Sequence, residues 1–261
     1  MGERLIQAIG AEALASAAPL FADWQETMIW SALEGGMGTI WTLGGAPKAA
    51  LCENADFLFL GGHPCEETTR LLETWKRERE GQFIILVACD PNCNKLIVPI
   101  FGENAKRWER YAFHKGGENF DREKLSSFAA ALDGRFEMRA FDEELYHKAL
   151  EQEWSRDFCS QFENAQDYLA RGMGVAALLN GELVGGASSY AVYSRGIEIQ
   201  IQTRDDMQRQ GIATACGAQL ILNCLEKGLY PSWDAANMES VRLAKKLGYR
   251  EAGAYVSWGL Y

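Results

Sequence analysis

The stretch Glu198-Ile199-Gln200-Ile201-Gln202-Thr203-Arg204-Asp205-Asp206-Met207-Gln208-Arg209-Gln210-Gly211-Ile212-Ala213-Thr214-Ala215 decides the fold. Ile197, Ile199 and Ile201 alternate with polar residues, which is the period of a half-buried strand. A short polar turn follows, and from Gly211 to about Lys227 the chain reads as an apolar helix. A strand, a glycine-bearing turn and a helix N-terminus together make an anion site. The N–H groups of the first turn have no intrahelical partner, and the helix dipole adds positive potential. Gly211 lets the backbone approach a ligand, and Ala213 keeps the loop surface low. No lysine of Walker type follows, which argues against nucleoside triphosphate hydrolysis.

Working outward, Gly174 to Leu179 and Leu183 to Tyr193 read as strands joined by the hairpin signal Asn180-Gly181. Downstream come a strand over Tyr230 to Asp234, a helix from Met238 to Leu247 closed by Gly248, and a final strand over Val256 to Leu260. Upstream, Asp121 to Leu132 is helical, Phe136 to Ala140 is a strand, Asp142 caps a helix running toward Trp154, and Asn164 to Ala170 adds a further turn or two. Before these lie a helix over the first 30 residues and the turn Gly35-Gly36-Met37-Gly38. The strand-like runs GTIWTL, KAALCE and ADFLFL follow, then a helix over Cys65 to Glu80 and a buried strand over Phe83 to Cys89. Gly116-Gly117-Glu118-Asn119 is the best linker, which divides the chain into 1–118 and 119–261. Both halves order their elements alike, so a duplicated fold with one degenerate copy stays open, although no residue-level repeat accompanies it.

Gln208-x-x-Gly211-x-Ala213 resembles the Q/R-x-x-G-x-G/A signature of the GNAT superfamily, the acyl-CoA-dependent N-acyltransferases. One helix and one strand later, Asn237-Met238-Glu239-Ser240-Val241-Arg242-Leu243-Ala244-Lys245-Lys246-Leu247-Gly248-Tyr249 resembles that family's N-x-x-S/A-x-x-L-x-x-K-L-G-F/Y motif. The run from Pro231 to Asn237 and the region ahead of the motifs are similar to the zwittermicin-resistance type of GNAT protein. The resemblance implies an α/β fold with a mixed sheet, its acyltransferase domain C-terminal to a further α/β domain. It also implies acetyl-CoA as co-substrate, bound along Ile201, Gln202 and Thr203, by the loop and helix start at Gln208, Arg209, Gln210, Gly211, Ile212, Ala213 and Thr214, and by Asn237 and Ser240. A helix cap is the plain reading of Asn237.

The implied reaction is direct attack of a small-molecule primary amine on the thioester. It requires a base for the ammonium proton, donors for the developing oxyanion and accurate positioning. Glu198, at the start of the strand, is the expected base, and Asp234 is the second candidate. The tyrosine that many members carry seven residues after the motif Asn is replaced by Ala244, leaving Tyr249, Tyr255, Tyr190 or solvent to protonate the thiolate. That replacement keeps open a second reading, a catalytically silent acyl-CoA-binding or sensing module. Trp24, Trp30, Trp41, Trp75, Trp108 and Tyr111 are candidates to cap the acceptor site, though core packing accounts for most such aromatics.

Composition narrows the partners. With 48% hydrophobic and 24% charged residues the chain is globular. The net charge of −10 is spread over both halves, which disfavours nucleic acid and suits a cationic substrate. The longest apolar run, Phe83 to Cys89, has seven residues, where a membrane helix needs about 20. Gln7 and Glu12 interrupt any signal-peptide core, so the expected compartment is the cytoplasm. Seven cysteines without a C-x-x-C pair, and three histidines away from ligand spacing, give no metal signature and read as reduced thiols.

Overall fold

In the computed structural model, residues 3–79, 81, 83–116 and 120–261 are described. The chain divides into two units, residues 1–110 with 254–261, and residues 111–253.

The first unit opens with β1 (Ile6–Gln7), α1 (Ala11–Ala17) and α2 (Thr27–Leu33) in place of the single helix expected there. Leu5, Ile6, Ile9 and Leu14 have helical spacing, but Gly10 at φ 84° and Pro19 break it. Ile6 and Gln7 pair instead with Thr42 and Trp41. Next, β2 (Thr39–Thr42), β3 (Ala49–Asn54) and β4 (Phe57–Gly62) form an antiparallel meander. The crossover helix α3 (Glu66–Glu78) then leads to β5 (Ile84–Ala88), which runs parallel to β4. Both parallel strands are buried throughout, as strands covered on two faces are. Glu66 and Glu67 open α3 while Lys76 and Arg77 close it, complementing the helix dipole. Its apolar stripe of Leu71, Leu72 and Trp75 packs on Leu58, Leu60 and Leu86. After α4 (Ile97–Phe101), the first part of β6 (Ala105–Phe113) completes this stretch.

In the second unit, Asp121 caps α5 (Arg122–Ala130), and β7 (Phe136–Ala140), α6 (Glu143–Leu150) and α7 (Ala165–Arg171) follow. β8 (Gly174–Leu179) and β9 (Glu182–Tyr193) are joined by Asn180 at φ 53° and Gly181 at φ 83°, the backbone of a type I′ hairpin turn. β10 (Gly196–Thr203) extends the meander, and α8 (Ile212–Glu226) carries the chain to β11 (Tyr230–Ser232), parallel to β10. The sheet order is β11-β10-β9-β8-β7.

The expected strand over Tyr230 to Asp234 is interrupted at Trp233, which is buried. Beyond it β12 (Asp234–Ala235) changes partner and pairs with Tyr111 and Ala112. α9 (Met238–Leu247) begins on the Asn237 cap and stops at Gly248, where φ is 116°. β13 (Glu251–Leu260) enters the first unit at Ala254, pairing Trp258–Leu260 with β5, although its sequence neighbours are the second unit's motifs. Of the linker segment, Gly116 has φ 83°, and 117–119 lie outside the described residues. Among the described residues no helix is long and apolar enough to cross a membrane.

Candidate active site

The site is built on a fork between β10 and β11. The two strands pair only at Gly196↔Tyr230, Ile197↔Pro231 and Glu198↔Ser232. Past Trp233 the chain turns to Tyr111 and Ala112, so Ile199 to Thr203 keep β9 on one side and lose a strand partner on the other. The register on β9 also shifts there, from Glu198↔Ala191 to Ile199↔Ser189, leaving Tyr190 as the extra residue of a bulge. An open strand edge inside a folded unit exposes backbone N–H and C=O groups to a ligand.

Below the fork, the loop from Arg204 to Gly211 is tied together by its own side chains. Arg204 forks onto Asp206 at 2.7 and 3.1 Å, and Gln208 Nε2 donates to Asp205 Oδ1 at 3.0 Å. Arg209 (φ 61°) and Gly211 (φ 84°) turn the backbone through the left-handed region. Gly211 then stands as N-cap of α8 with no side chain covering the first-turn N–H groups and no acid in that turn. Ile201, Gln202, Thr203, Gln208, Arg209, Gly211, Ile212, Ala213, Thr214, Asn237 and Ser240 all line one groove of about 430 Å³. Of the cofactor residues expected from the sequence only Gln210 is not on its wall; its Oε1 accepts from Arg135 at 2.5 Å.

Two features of the groove fit an elongated phosphate-bearing ligand such as coenzyme A. Thr203 Oγ1 is buried with no hydrogen-bond partner. A Cβ built on Gly211 would meet nothing within 4 Å, so the space above it is open to a ligand. The N–H cluster and the dipole of α8 supply the positive potential, with Arg209 and Arg242 on the wall. Lys246 Nζ reaches Thr214 Oγ1 at 3.3 Å in the first turn.

Asn237 behaves as the cap that its position suggests. Its Oδ1 accepts from the N–H groups of Glu239 and Ser240 at 3.0 and 2.9 Å, leaving only Nδ2 for a ligand. Ser240 Oγ accepts from the Trp233 indole at 3.1 Å.

The three catalytic candidates lie off the groove wall. Glu198 is buried at the crotch of the fork, its Oε2 without a hydrogen-bond partner and 3.7 Å from Lys115 Nζ. Lys115 donates to Ser232 Oγ at 2.5 Å and to Trp233 O at 3.3 Å, so it bridges the two strands where they part. Nothing near Lys115 in sequence advertises this role, because its partners are drawn from β10 and β11 far along the chain. Asp234 sits on β12, half-buried. Tyr249 is spent on the core: its hydroxyl donates to Pro231 O at 2.6 Å and its ring packs on Phe113, Phe120 and Trp233. Ala244, at the family tyrosine's position, is fully buried. Tyr255 and Trp24 pack edge-on, and Trp75 lies in the first unit's core. No cluster of three His, Cys, Asp or Glu side chains suited to a metal ion occurs among the described residues.

The family model for GNAT acetyltransferases matches residues 18–258. The chain belongs to that family. Its structure is similar to a GCN5-related N-acetyltransferase-like protein from Streptococcus suis 89/1591, with 40% identity, a TM-score of 0.89, and 96% of this chain and 99% of that one covered. A tandem GNAT protein from the clavulanic acid biosynthesis pathway shares the fold at 13% identity and a TM-score of 0.57, covering 98% and 97% of the two chains. The uncharacterized N-acetyltransferase YdfB of Bacillus subtilis (strain 168) is 28% identical over 96 residues, a match covering 36% of this chain and only 37% of that relative.

Proposed function

We propose that the protein transfers an acetyl group from acetyl-CoA to a primary amine of a small molecule by direct attack. The observation that carries this reading is the fork. A strand edge opens at Ile199 to Thr203, next to an uncovered helix N-terminus and beside a buried carboxylate. Acetyl-CoA, when bound, supplies an acyl group activated as a thioester. The chain's own residues, in the groove and at the fork, bind the donor and accept the ammonium proton. As the amine's C–N bond forms and the C–S bond breaks, solvent protonates the departing thiolate, since Ala244 carries no hydroxyl and Tyr249 is engaged with Pro231. The first-turn N–H groups of α8 hold the pyrophosphate, and the free edge of β10 with Thr203 aligns the pantetheine arm. Glu198 Oε2, an acceptor with no hydrogen bond of its own, receives the proton of the incoming ammonium directly or through one water. Lys115 keeps that carboxylate in place from the other arm of the fork.

We also read the first unit as a degenerate copy of the same fold. It repeats the meander, crossover helix and parallel strand. Its own helix start cannot hold a pyrophosphate, since Glu66 and Glu67 occupy the first turn that α8 leaves free of acid. The buried Ala244 and the engaged Tyr249 favour a second reading, a silent acyl-CoA-binding module. Thiol release from acetyl-CoA over a panel of small amines separates the two. Turnover with any amine, reduced by Glu198→Gln, supports the enzyme. Binding without turnover across the panel supports the module.

A further inference from the structure

The first unit carries an unpaired sheet edge next to an uncovered aromatic patch. Among the described residues β6 has β13 on one side, and on the other only β12, which pairs with Tyr111 and Ala112. From Ala105 to Arg110 that second edge has no strand, and Lys106, Arg107, Trp108 and Glu109 are exposed in succession. Such an edge is a template for another strand. Beside it Phe83, Trp108 and Tyr261 are 39%, 37% and 54% exposed, although their rings lie against one another at centroid distances of 5.1 to 6.4 Å. Trp108 is also held in place. A Cβ on Gly259 would meet its ring at 2.6 Å, so the indole lies directly on the β13 backbone. Fixed, exposed aromatic side chains are the usual centre of an interface.

The order of charges along β6 selects the partner. Charged edge strands resist pairing when like charges face each other. In an antiparallel pair of two copies, a two-fold axis through Arg107 sets Arg107 against itself, and an axis through Glu109 sets Glu109 against itself. An axis through Trp108 does the opposite. Each Arg107 then faces Glu109 of the second copy, and the two indoles meet on the other face. Within one chain these two side chains stand 4.0 Å apart and are 54% and 55% exposed, so both remain open to a partner. The same register sets Lys106 opposite Arg110. That cost is reduced because each is drawn onto a ring of its own chain, Lys106 4.8 Å over Tyr261 and Arg110 4.8 Å over Phe57. We propose that the protein forms a two-fold dimer in solution, by antiparallel pairing of β6 with β6 of a second copy across Trp108. The proposal stands independently of the acyl-transfer reading.

The test is analytical ultracentrifugation of the full chain up to about 100 µM, where a dimer is expected. Arg107→Glu and Glu109→Arg each bring like charges together, and each alone is expected to weaken association about tenfold. Arg107→Glu and Glu109→Arg combined in one chain restore the complementary pairs and are expected to restore the dimer. The two single variants mixed in equal amounts are likewise expected to associate with each other. Trp108→Ala is expected to weaken the dimer with the charges intact. These side chains are exposed, so dichroism is expected to show every variant folded. A monomer at about 100 µM, whether or not it binds anionic lipid vesicles, would overturn the proposal. So would a dimer indifferent to both charge reversals, or a folded double variant that stays monomeric.

Discussion

Lys115 Nζ stands 3.7 Å from Glu198 Oε2, and the two side chains are only 4% and 5% exposed. Lys115 also donates to Ser232 and Trp233, so a single ammonium ties both arms of the fork to the carboxylate between them. The expected consequence of Lys115→Met is a loss of about 3–5 kcal/mol, because it strands a buried charge. Urea denaturation measures this, and adding Glu198→Gln should recover much of the loss. Strictly additive losses in the double variant would mean the two groups do not interact.

Glu198→Gln preserves shape and removes the proton acceptor. Turnover with a productive amine should fall about 10²–10⁴-fold, while acetyl-CoA affinity stays within about twofold. Steady-state rates beside a calorimetric titration check both halves. An unimpaired rate would remove Glu198 from the chemistry.

Asn237→Asp separates capping from ligand contact. A carboxylate can still accept both N–H groups that Asn237 now serves, so melting should be little changed. The variant loses the Nδ2 donor and adds negative charge beside the groove, so acetyl-CoA should bind about tenfold more weakly. Unchanged affinity would confine Asn237 to its structural task.

Asp142 predicts a modest acid sensitivity. The Leu145 N–H that it caps, and after it Arg139, hold its carboxyl below the usual aspartate range. A depressed folded pKa stabilises above the unfolded value of about 4 and is lost as pH falls through the folded one. Its side chain is half exposed, so Asp142→Ala should cost about 1 kcal/mol or less at neutral pH. That difference should shrink below about pH 4. Denaturation midpoints of the two proteins across this range test the sign.

Thiol labelling is expected to be selective. The Thr68 hydroxyl and the backbone N–H groups at the start of α3 lower the Cys65 pKa, whereas burial pushes Cys159, Cys216 and Cys224 up to about 12. Iodoacetamide at neutral pH should modify Cys65 first, as read by peptide mass spectrometry. Equal labelling of Cys216 would show that α8 opens readily.

Local rules carried much of this structure. Asn180-Gly181 marks its hairpin because both positions must take positive φ. The loop at Gly211 and the helix between Asn237 and Gly248 are legible for similar reasons of capping and backbone freedom. What the sequence hides is decided by tertiary partners. Trp233 splits a strand because its two sides pair with different strands, which no periodicity records. The N-terminal apolar spacing suits a helix, yet Gly10 and the partners offered by β2 turn part of it into strand. Lys115 is invisible for the same reason: its role exists only once β10 and β11 part beside it. Ala244 and Tyr249 show the converse, since a motif aligns both while packing commits each to the core.

The most direct test of the central claim is isothermal titration of the protein with acetyl-CoA, beside Ala213→Glu and Gly211→Glu. Ala213 lies half-buried in the first turn of α8, where an acid suits the helix dipole but repels phosphate, so that variant should remain folded. Gly211→Glu adds bulk to the open space above the loop, at a backbone strained for any side chain. Saturable binding to the unmodified chain, abolished in folded Ala213→Glu, is the predicted result. No binding at millimolar acetyl-CoA, or undiminished binding in Ala213→Glu, would contradict the account.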